Sequence, residues 1–325
     1  MIDGVLVTGG AGYLGVPVVE ELLHTGRDVR VLDVFLHEQR ELVAELRRHG
    51  IDVVQADVRD PVARRAALDG VGNVVHLAAI VGDPACARAP AQAAEVNVTA
   101  THALVADAAE YGVERFVFAS TCSNYGRMAD PTVPVTEESV LAPVSLYAEQ
   151  KVAVEGALLG SDRAGMAATC LRFATLFGVA PRMRFDLTVN EFTRDLWADT
   201  ELEVFGERFW RPYVHVRDAA RAVAIVLQAP RELVAHEVFN VGDTGENYRK
   251  LDIVELIRRR IDTGRVSFVH RDEDPRDYKV SFEKIRGVLG YEVTQRVPDG
   301  IAQIIDALET DAFDDAFDGR YRNLK

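Results

Sequence analysis

The chain is 325 residues long and 48% hydrophobic, enough to bury a substantial core in one large domain or in two that share a sheet edge. Its 37 Lys and Arg stand against 51 Asp and Glu, a formal net charge of -14; that argues against a nucleic-acid or anionic-membrane surface, which would want basic patches, but leaves room for an anionic small molecule held by a local Arg cluster. Three cysteines (Cys86, Cys122, Cys170), eight scattered histidines, no basic leader and no apolar run of the roughly 20 residues that span a bilayer set the expectation of a reducing, cytoplasmic setting with no metal and no membrane segment.

Along the chain, short apolar runs alternate with helical patterns. "GVLVTG" (4–9) reads as a strand and "PVVEELLHTG" (17–26) as a helix closed by Gly26; "DVRVLD" (28–33) is the next strand, and 36–50 is a helix ending in a second Gly. A strand over 52–57, a short helix "PVARRAAL", a strand over 73–79, an Ala-rich helix spanning about 90–111 and a strand "RFVFAS" (115–120) follow. This rhythm predicts an α/β fold, a doubly wound parallel sheet whose strands are apolar on both faces because helices cover both sides. Beyond "ATCLRF" (168–173) the rhythm breaks into a basic, aromatic loop and a helix. It resumes as strand then helix in "WRPYVHVRDAARAVAIVL" and as a strand over 237–242. The expected division is a dinucleotide-type domain of 1–173 and 215–242, with a smaller lobe of 174–214 and 243–325. The tail "DAFDDAFDGRYRNLK" is open between a frayed end and a strap over a neighbouring surface.

"TGGAGYLG" sets Gly9, Gly12 and Gly15 between the first strand and the first helix, with Tyr13 and Leu14 inside the turn. One glycine permits the tight turn, one lets the backbone approach a pyrophosphate, and one lets helix and strand pack closely. The helix N-terminus then presents free N–H groups to the phosphates. Pro17 falls awkwardly, a little past the first turn by this reading. Asp33 ends the second strand where a ribose-binding acid belongs; a carboxylate there accepts from ribose hydroxyls and repels a 2′-phosphate, favouring NAD over NADP. Its plainer alternative is a turn or helix-cap Asp. Asp57, beside Val58 at the third strand end, is open between an adenine contact and a turn.

Tyr147 and Lys151 in "YAEQK" stand at i and i+4, on one helix face. A free phenol titrates near pH ~10, and a nearby ammonium lowers that value, so Tyr147 becomes a candidate proton acceptor with Lys151 as its electrostatic partner and a ribose ligand. Alone, the pair is an ordinary exposed helix face. It gains meaning from what precedes it in order: the glycine loop, Asp33, "HLAA" (76–79), Asn97 and the hydroxyl-rich strand end "FVFASTCSNYG" (116–126).

With "DVRD", "LRFATLFG" and "RPYVHVRDAA", these motifs span nearly the whole chain. The sequence resembles the extended short-chain dehydrogenase/reductase family, in its nucleotide-sugar epimerase/dehydratase branch typified by UDP-glucose 4-epimerase. The resemblance implies a Rossmann domain with a substrate lobe and a catalytic triad of Thr121 (four residues before Tyr125), Tyr147 and Lys151. It implies NAD contacts from the glycine loop, Asp33, Asp57, Val58, Leu77, Ala78, Ala79, Asn97 and Ser120. Tyr125 is expected to be structural, and Ser123 to support the substrate. A nucleotide diphosphate wants Arg forks: Arg211 matches the family's diphosphate-binding Arg, with Arg271 and Arg276 as candidates for a second clamp. Arg182, Arg184 and Asn190 are expected near the substrate, the two arginines being equally readable as a solvated loop. Thr175 stands where many 4-epimerases have an Asn that touches the phosphates.

Two departures narrow the activity. Family 4,6-dehydratases carry Asp-Glu after the catalytic Thr; here Cys122-Ser123 leaves both acid–base roles unfilled. Members that epimerise through a Cys place it two before the Tyr, where Ser123 stands; Cys122 is one residue early and reads chiefly as a buried thiol. The expectation is an NAD-dependent nucleotide-sugar 4-epimerase acting through transient C4 oxidation. The alternatives are a 4-keto-sugar reductase in deoxysugar or polysaccharide synthesis and, from another class, a non-catalytic NAD-sensing protein. The resemblance also implies a homodimer through the helices near 90–111 and 147–160.

Overall fold

The computed structural model describes residues 4–323 except 38, 129, 131–132, 161–164 and 270–275, and of Arg40 the backbone only. In the first half the strands are β1 (Val5–Thr8), β2 (Val29–Asp33), β3 (Asp52–Gln55), β4 (Asn73–His76), β5 (Arg115–Thr121) and β6 (Ala167–Phe173). The second half adds β7 (Thr175–Phe177), β8 (Glu201–Phe205), β9 (Trp210–His215), β10 (Glu237–Val241), β11 (Asn247–Arg249) and β12 (Arg265–Val269). Seven of these form one sheet in the order β10-β6-β5-β4-β1-β2-β3, with every pair parallel. The chain winds outward from β1 through β2 to β3, then returns to β4 on the other side of β1. The crevice between the C-terminal ends of β1 and β4 is the switch point where such sheets bind ligands.

The helices α1 (Gly15–His24), α2 (Arg40–Arg48), α3 (Pro61–Leu68), α4 (Asp83–Arg88), α5 (Pro90–Ala94), α6 (Ala100–Glu110), α7 (Leu146–Leu159), α8 (Thr188–Trp197) and α9 (Val216–Gln228) connect or flank these strands. Period-2 alternation sorts the sheet side chains. Val5, Val7 and Val117 join Val18 and Leu22 of α1 and Val223 of α9 on one face, while Leu6, Phe116 and Phe118 meet Ala67 of α3, Leu104 of α6 and Val154 of α7 on the other. Both faces are covered, which is why the strands read as continuous apolar runs.

Later in the chain come α10 (Arg231–Val234), α11 (Lys250–Arg258), α12 (Glu283–Leu289) and α13 (Val297–Glu309). A three-stranded sheet β11-β9-β7 and a parallel pair β8-β12 enclose a separate apolar cluster with α8, α11 and α13, including Leu196, Ile257 and Ile301. Tyr278, Val280, Phe282, Ile285 and Tyr291 lie instead in the same cluster as β1 and α1. No helix is long and apolar enough to cross a membrane among the described residues.

Several local expectations shift. The helix expected from residue 17 begins at Gly15, so Pro17 is its third residue, where a missing N–H leaves no intrahelical bond unmade. The helix expected over 36–50 opens only at Arg40, and the strands expected to reach 57 and 79 stop at Gln55 and His76. The long helix near 90–111 is interrupted: α5 passes into a π-helical turn, Glu95–Thr99, before α6, the kind of bulge that re-aims a side chain at a working position. The tail is a strap. Phe185 N donates to the Tyr321 carbonyl at 2.8 Å and Asn323 N to Asp186 Oδ2 at 3.0 Å, with the Phe313 and Tyr321 rings edge-on to Phe185 at 5.1 and 5.8 Å.

Beneath the end of β5 lies a closed polar network. Arg172 pairs with Glu155, their side chains 5% and 3% exposed; Ser120 Oγ donates to Glu155 Oε2 at 2.8 Å, Arg172 Nη1 to Tyr125 Oη at 2.9 Å, and Tyr125 Oη to Asn240 Oδ1 at 2.8 Å. Removing one member of a buried pair leaves an uncompensated charge, whereas replacing both by apolar groups does not. Arg172→Ala is therefore expected to lower the unfolding free energy by about 3–5 kcal/mol, and Arg172→Met with Glu155→Leu by clearly less, as measured by urea denaturation.

Candidate active site

The turn after β1 is built for close backbone approach. Gly9 has φ +71°, and a Cβ there would sit 2.8 Å from Ala78 N, while a Cβ on Gly15 would fall onto the Gly9 carbonyl. Gly12 N donates back to Gly9 O at 3.0 Å, Val16 N to Gly12 O at 3.1 Å and Val18 N to Leu14 O at 3.1 Å, and α1 opens directly afterwards, its positive dipole end at the crevice. Asp33 reaches over from β2: Oδ2 accepts from Ala11 N at 3.0 Å and Oδ1 from Phe35 N at 2.9 Å. Burial raises its pKa against those two N–H groups. Tyr13 points away into the lobe, where its hydroxyl donates to Gly178 O at 2.6 Å and accepts from Asn190 Nδ2 at 3.1 Å. Only its backbone remains for the crevice, beside half-buried Leu14.

On the facing edge, Thr8 and His76 lie opposite each other across β1 and β4. His76 is flanked by Thr8 Oγ1 at 2.7 Å from Nδ1 and Thr101 Oγ1 at 2.8 Å from Nε2. Leu77 N donates to Thr8 O at 3.1 Å and Ala78 N to Thr8 Oγ1 at 3.3 Å, which holds the Leu77–Ala78–Ala79 turn against the glycine loop. Asn97, in the π-helical turn, accepts from Ile80 N at 2.8 Å and donates to Ile80 O at 3.0 Å and to Gln150 Oε1 at 2.8 Å. It ties the turn after β4 to α7 rather than offering an amide to a ligand.

The reacting groups converge on α7 and the end of β5. Ser145 caps α7, its Oγ accepting from Ala148 N at 3.3 Å. Tyr147 sits in the first turn, and Lys151 one turn later donates Nζ to Ala119 O at 2.7 Å, two residues before Thr121. Thr121 closes β5, its Oγ1 accepting from Ser123 N at 3.1 Å and capping the short turn Cys122–Tyr125. The expected lowering of the phenol by Lys151 is not what this conformation holds. Burial raises the Tyr147 pKa, with the Cys86 and Asp83 charges adding and Arg184 opposing, while burial brings Lys151 down to about 8. Burial is the dominant cause; the Lys151 ammonium lies 4.5 Å from the Phe118 ring centroid and 5.8 Å from that of Tyr147.

Other expected side chains are engaged elsewhere. The Ser120 hydroxyl donates to Glu155 and accepts from Asn124 Nδ2 at 3.1 Å, which leaves its backbone alone for a cofactor. Asp57 is gripped by Arg59 through N, Nε and Nη2, an ion-paired turn next to buried Val58. Asn190 is fully buried, accepting from Gly178 N at 2.9 Å and donating to Tyr13 Oη and to Arg184 O at 2.8 Å. It clamps the lobe to the glycine loop and has no face open to substrate. Cys122 points into the core, its thiol on Arg172 O at 3.1 Å and its pKa pushed well up by burial.

On the lobe side, Arg211 is buried on β9, its guanidinium 5.3 Å from the Tyr278 ring centroid. Tyr278 is hydrogen-bonded to Ser123 and feels Arg211 and Arg276, so Arg211, Arg276, Ser123 and Tyr278 share one neighbourhood. Arg276 pairs with Asp83 at 3.0 Å. Thr175 is the half-buried first residue of β7, opposite Tyr213, and Arg271 lies outside the described residues. Neither Arg182 nor Arg184 is a solvated loop residue. Arg184 chelates Asp186 with two bonds of 2.9 Å, and Arg182 is 6% exposed, within electrostatic reach of Asp33 and Tyr13, on the glycine-loop side rather than beside Arg211. Sequence reasoning missed Glu155, though it stands at i+4 from Lys151 on the same helix face, and Tyr278, which carried no signal beyond its place after Arg276.

Such a crevice is that of a dinucleotide-dependent α/β oxidoreductase: a loop that added Cβ atoms would fill, a strand-end carboxylate, and a Tyr and Lys one helical turn apart beside a strand-end hydroxyl. The chain belongs to the NAD dependent epimerase/dehydratase family, whose model matches residues 5–242. It is 30% identical over 304 residues to a UDP-glucose 4-epimerase of Corynebacterium glutamicum, covering 88% of this chain and 89% of that one. Among solved structures it resembles a UDP-glucose 4-epimerase with UDP-glucose from Thermotoga maritima (26% identity, TM-score 0.85, 95% and 100% covered). It is also similar to a dTDP-glucose 4,6-dehydratase with NAD bound from Streptomyces venezuelae (26% identity, TM-score 0.85, 95% and 98% covered). The residues fit the family's cofactor: the Gly9–Gly15 turn would hold the phosphates, Asp33 the adenosine ribose, and Lys151 the nicotinamide ribose.

His76 gives this site a pH signature. Burial, with the Lys151 charge adding, lowers its pKa to about 3, so the unfolded chain binds the proton first as pH falls below ~6.5. Its contribution to stability is complete above that value and is lost as pH drops toward 3, by up to about 1.4 kcal/mol per pH unit. His76→Gln is expected to be less stable at pH 7 but to close part of the gap to wild type at pH 6 and 5, measured by urea denaturation at each pH.

Proposed function

We propose that this protein is an NAD-dependent nucleotide-sugar 4-epimerase. The observation that carries the reading is the meeting of α7 with β5: Lys151 bonded to Ala119 O, Tyr147 one turn before it, and Thr121 at the strand end. In this reading Thr121 Oγ1 orients the C4 hydroxyl of the sugar and Tyr147 Oη takes its proton. Lys151 holds the nicotinamide ribose and adds the positive charge that the phenolate needs. NAD held there would supply a hydride acceptor at the sugar carbon and, after the 4-keto sugar turned, a hydride donor to its other face, which would make the reaction redox-neutral. Arg211 and Arg276 receive the substrate diphosphate, with Arg276 exchanging Asp83 for a phosphate oxygen. The Cys122-Ser123 pair supports epimerisation over dehydration, because the thiol faces the core and neither residue following Thr121 is an acid.

The same reading divides the chain into a Rossmann domain of 1–173 and 215–242 and a substrate lobe of 174–214 and 243–325, whose 278–291 segment packs back on the Rossmann core, and sets the enzyme in the cytoplasm as a homodimer. The outward faces of α6 and α7 support a helix-packed dimer: they present Ala103 and Ala106, and Ala153 and Gly156, to the surface, small residues that let two helix pairs approach closely.

The test is incubation of the purified protein with a panel of UDP-, GDP-, CDP- and dTDP-sugars, following reduced-nicotinamide absorbance and product stereochemistry together. Inverted C4 configuration without net NADH is expected. Stoichiometric NADH consumption on a 4-keto sugar would mean a reductase instead, and tight NAD binding with no turnover a sensor. Tyr147→Phe should lower kcat by at least about 100-fold while the variant still binds NAD; retained turnover would remove Tyr147 from its role.

A further inference from the structure

Arg182 is a buried cation that forms no ion pair at bonding distance among the described residues. It is 6% exposed, its Nη2 reaches the Arg322 carbonyl at 3.4 Å, and its Nε has no hydrogen-bond partner among the described residues. The carboxylates near it are occupied. Asp186 is chelated by Arg184 and capped by Asn323 N, and both Asp33 oxygens accept backbone N–H groups. Burial, with the Arg184 charge adding, pushes the Arg182 guanidinium down to about 10. A desolvated guanidinium with an unmade bond is costly unless an anion completes it.

Its surroundings say which anion. Asp33, at the strand end beside the glycine turn, acts on Arg182 electrostatically, as does the Tyr13 hydroxyl on the lobe side of that turn. The 182–186 segment is fastened to that turn through Asn190, which bonds Arg184 O and Tyr13 Oη together. From the other side the C-terminal strap holds it, through Tyr321 O on Phe185 N, Asn323 N on Asp186, and the Phe313 and Tyr321 rings. We infer that the Arg182 guanidinium, presented by the lobe and held by the C-terminal strap, is a ligand for the pyrophosphate of bound NAD. This deepens the cofactor side of the proposed function and rests on the family's NAD site, not on which sugar is turned over.

A diphosphate is also part of the proposed substrate, so the test separates the two sources. Cofactor-free wild type and Arg182→Met are titrated calorimetrically with NAD, ADP-ribose, adenosine and UDP. The expected result is a loss of about 10- to 100-fold in affinity for NAD and ADP-ribose, with adenosine and UDP unchanged, since a charge-assisted bond to phosphate would be gone. Unchanged NAD affinity overturns the inference, whether UDP binding falls (the residue then serves the substrate) or nothing changes (its role is structural). Should Arg182→Met fail to give a cooperative melt, Arg182→Lys keeps the charge and removes the fork. It is expected to weaken NAD and ADP-ribose alone, by about 3- to 10-fold, and full affinity there refutes the assignment. Neither outcome depends on epimerase activity, so failure of the sugar assignment would leave this result standing.

Discussion

Lys151 donates to the Ala119 carbonyl across the seam between α7 and β5, and the candidate chemistry is arranged around that bond. A parallel strand buried on both faces ends with a carbonyl that the next strand does not fully satisfy, and a helix crossing over it can supply a donor. Here the donor is an ammonium, so one contact ties α7 to β5, fixes the rotation of α7, and sets a positive charge beside the Tyr147 ring. Tyr147 and Glu155 stand one turn to either side on the same helix face. Glu155 fastens the helix to the core through Ser120 and Arg172, which leaves Tyr147 as the member turned toward the crevice.

The second constraint is the junction of lobe and sheet. Tyr13 leaves the glycine turn and is held by Gly178 and Asn190, and the strap of 313–323 braces the same loop from outside. A loop that lies against a phosphate-binding turn has to be held from both sides, because loose backbone there would give up in ordering entropy what its contacts contribute. The acidic and aromatic alternation of the tail serves that purpose: its rings pack on Phe185, and Arg194 stacks over Phe317 at 4.4 Å from the centroid.

Much of this was legible in one dimension, and the reasons are local. Gly9 and Gly15 are forced by a positive φ and by backbone within Cβ reach, demands that only glycine meets. The i, i+4 spacing of Tyr147 and Lys151 is a property of any helix. What misled were short-range readings of side chains whose partners are distant in sequence. Ser120 reads as a cofactor hydroxyl until Glu155 is seen beneath it. Asn190 reads as a substrate amide until its bonds to Gly178, Tyr13 and Arg184 are counted. Arg182 and Arg184 read as substrate-side residues or as a solvated loop, yet Asp186 occupies Arg184 and Arg182 is buried. The phenol expected to be acidified by Lys151 is instead raised, chiefly by burial.

Sequence alone determined the order of strands and helices, the glycine turn after β1, the carboxylate at the end of β2 and the one-face spacing of Tyr147 and Lys151, because each depends on backbone geometry or helical spacing within a few residues; Thr121 joined that pair only through the family resemblance. Tertiary structure decided which polar side chains remain open to a ligand and which are tied down, because that depends on partners brought from 30 to 180 residues away, as Ser120 is by Glu155 and Tyr13 by Asn190. It also decided the place of the tail and of Arg182, whose burial comes from packing between segments 140 residues apart that no local pattern records.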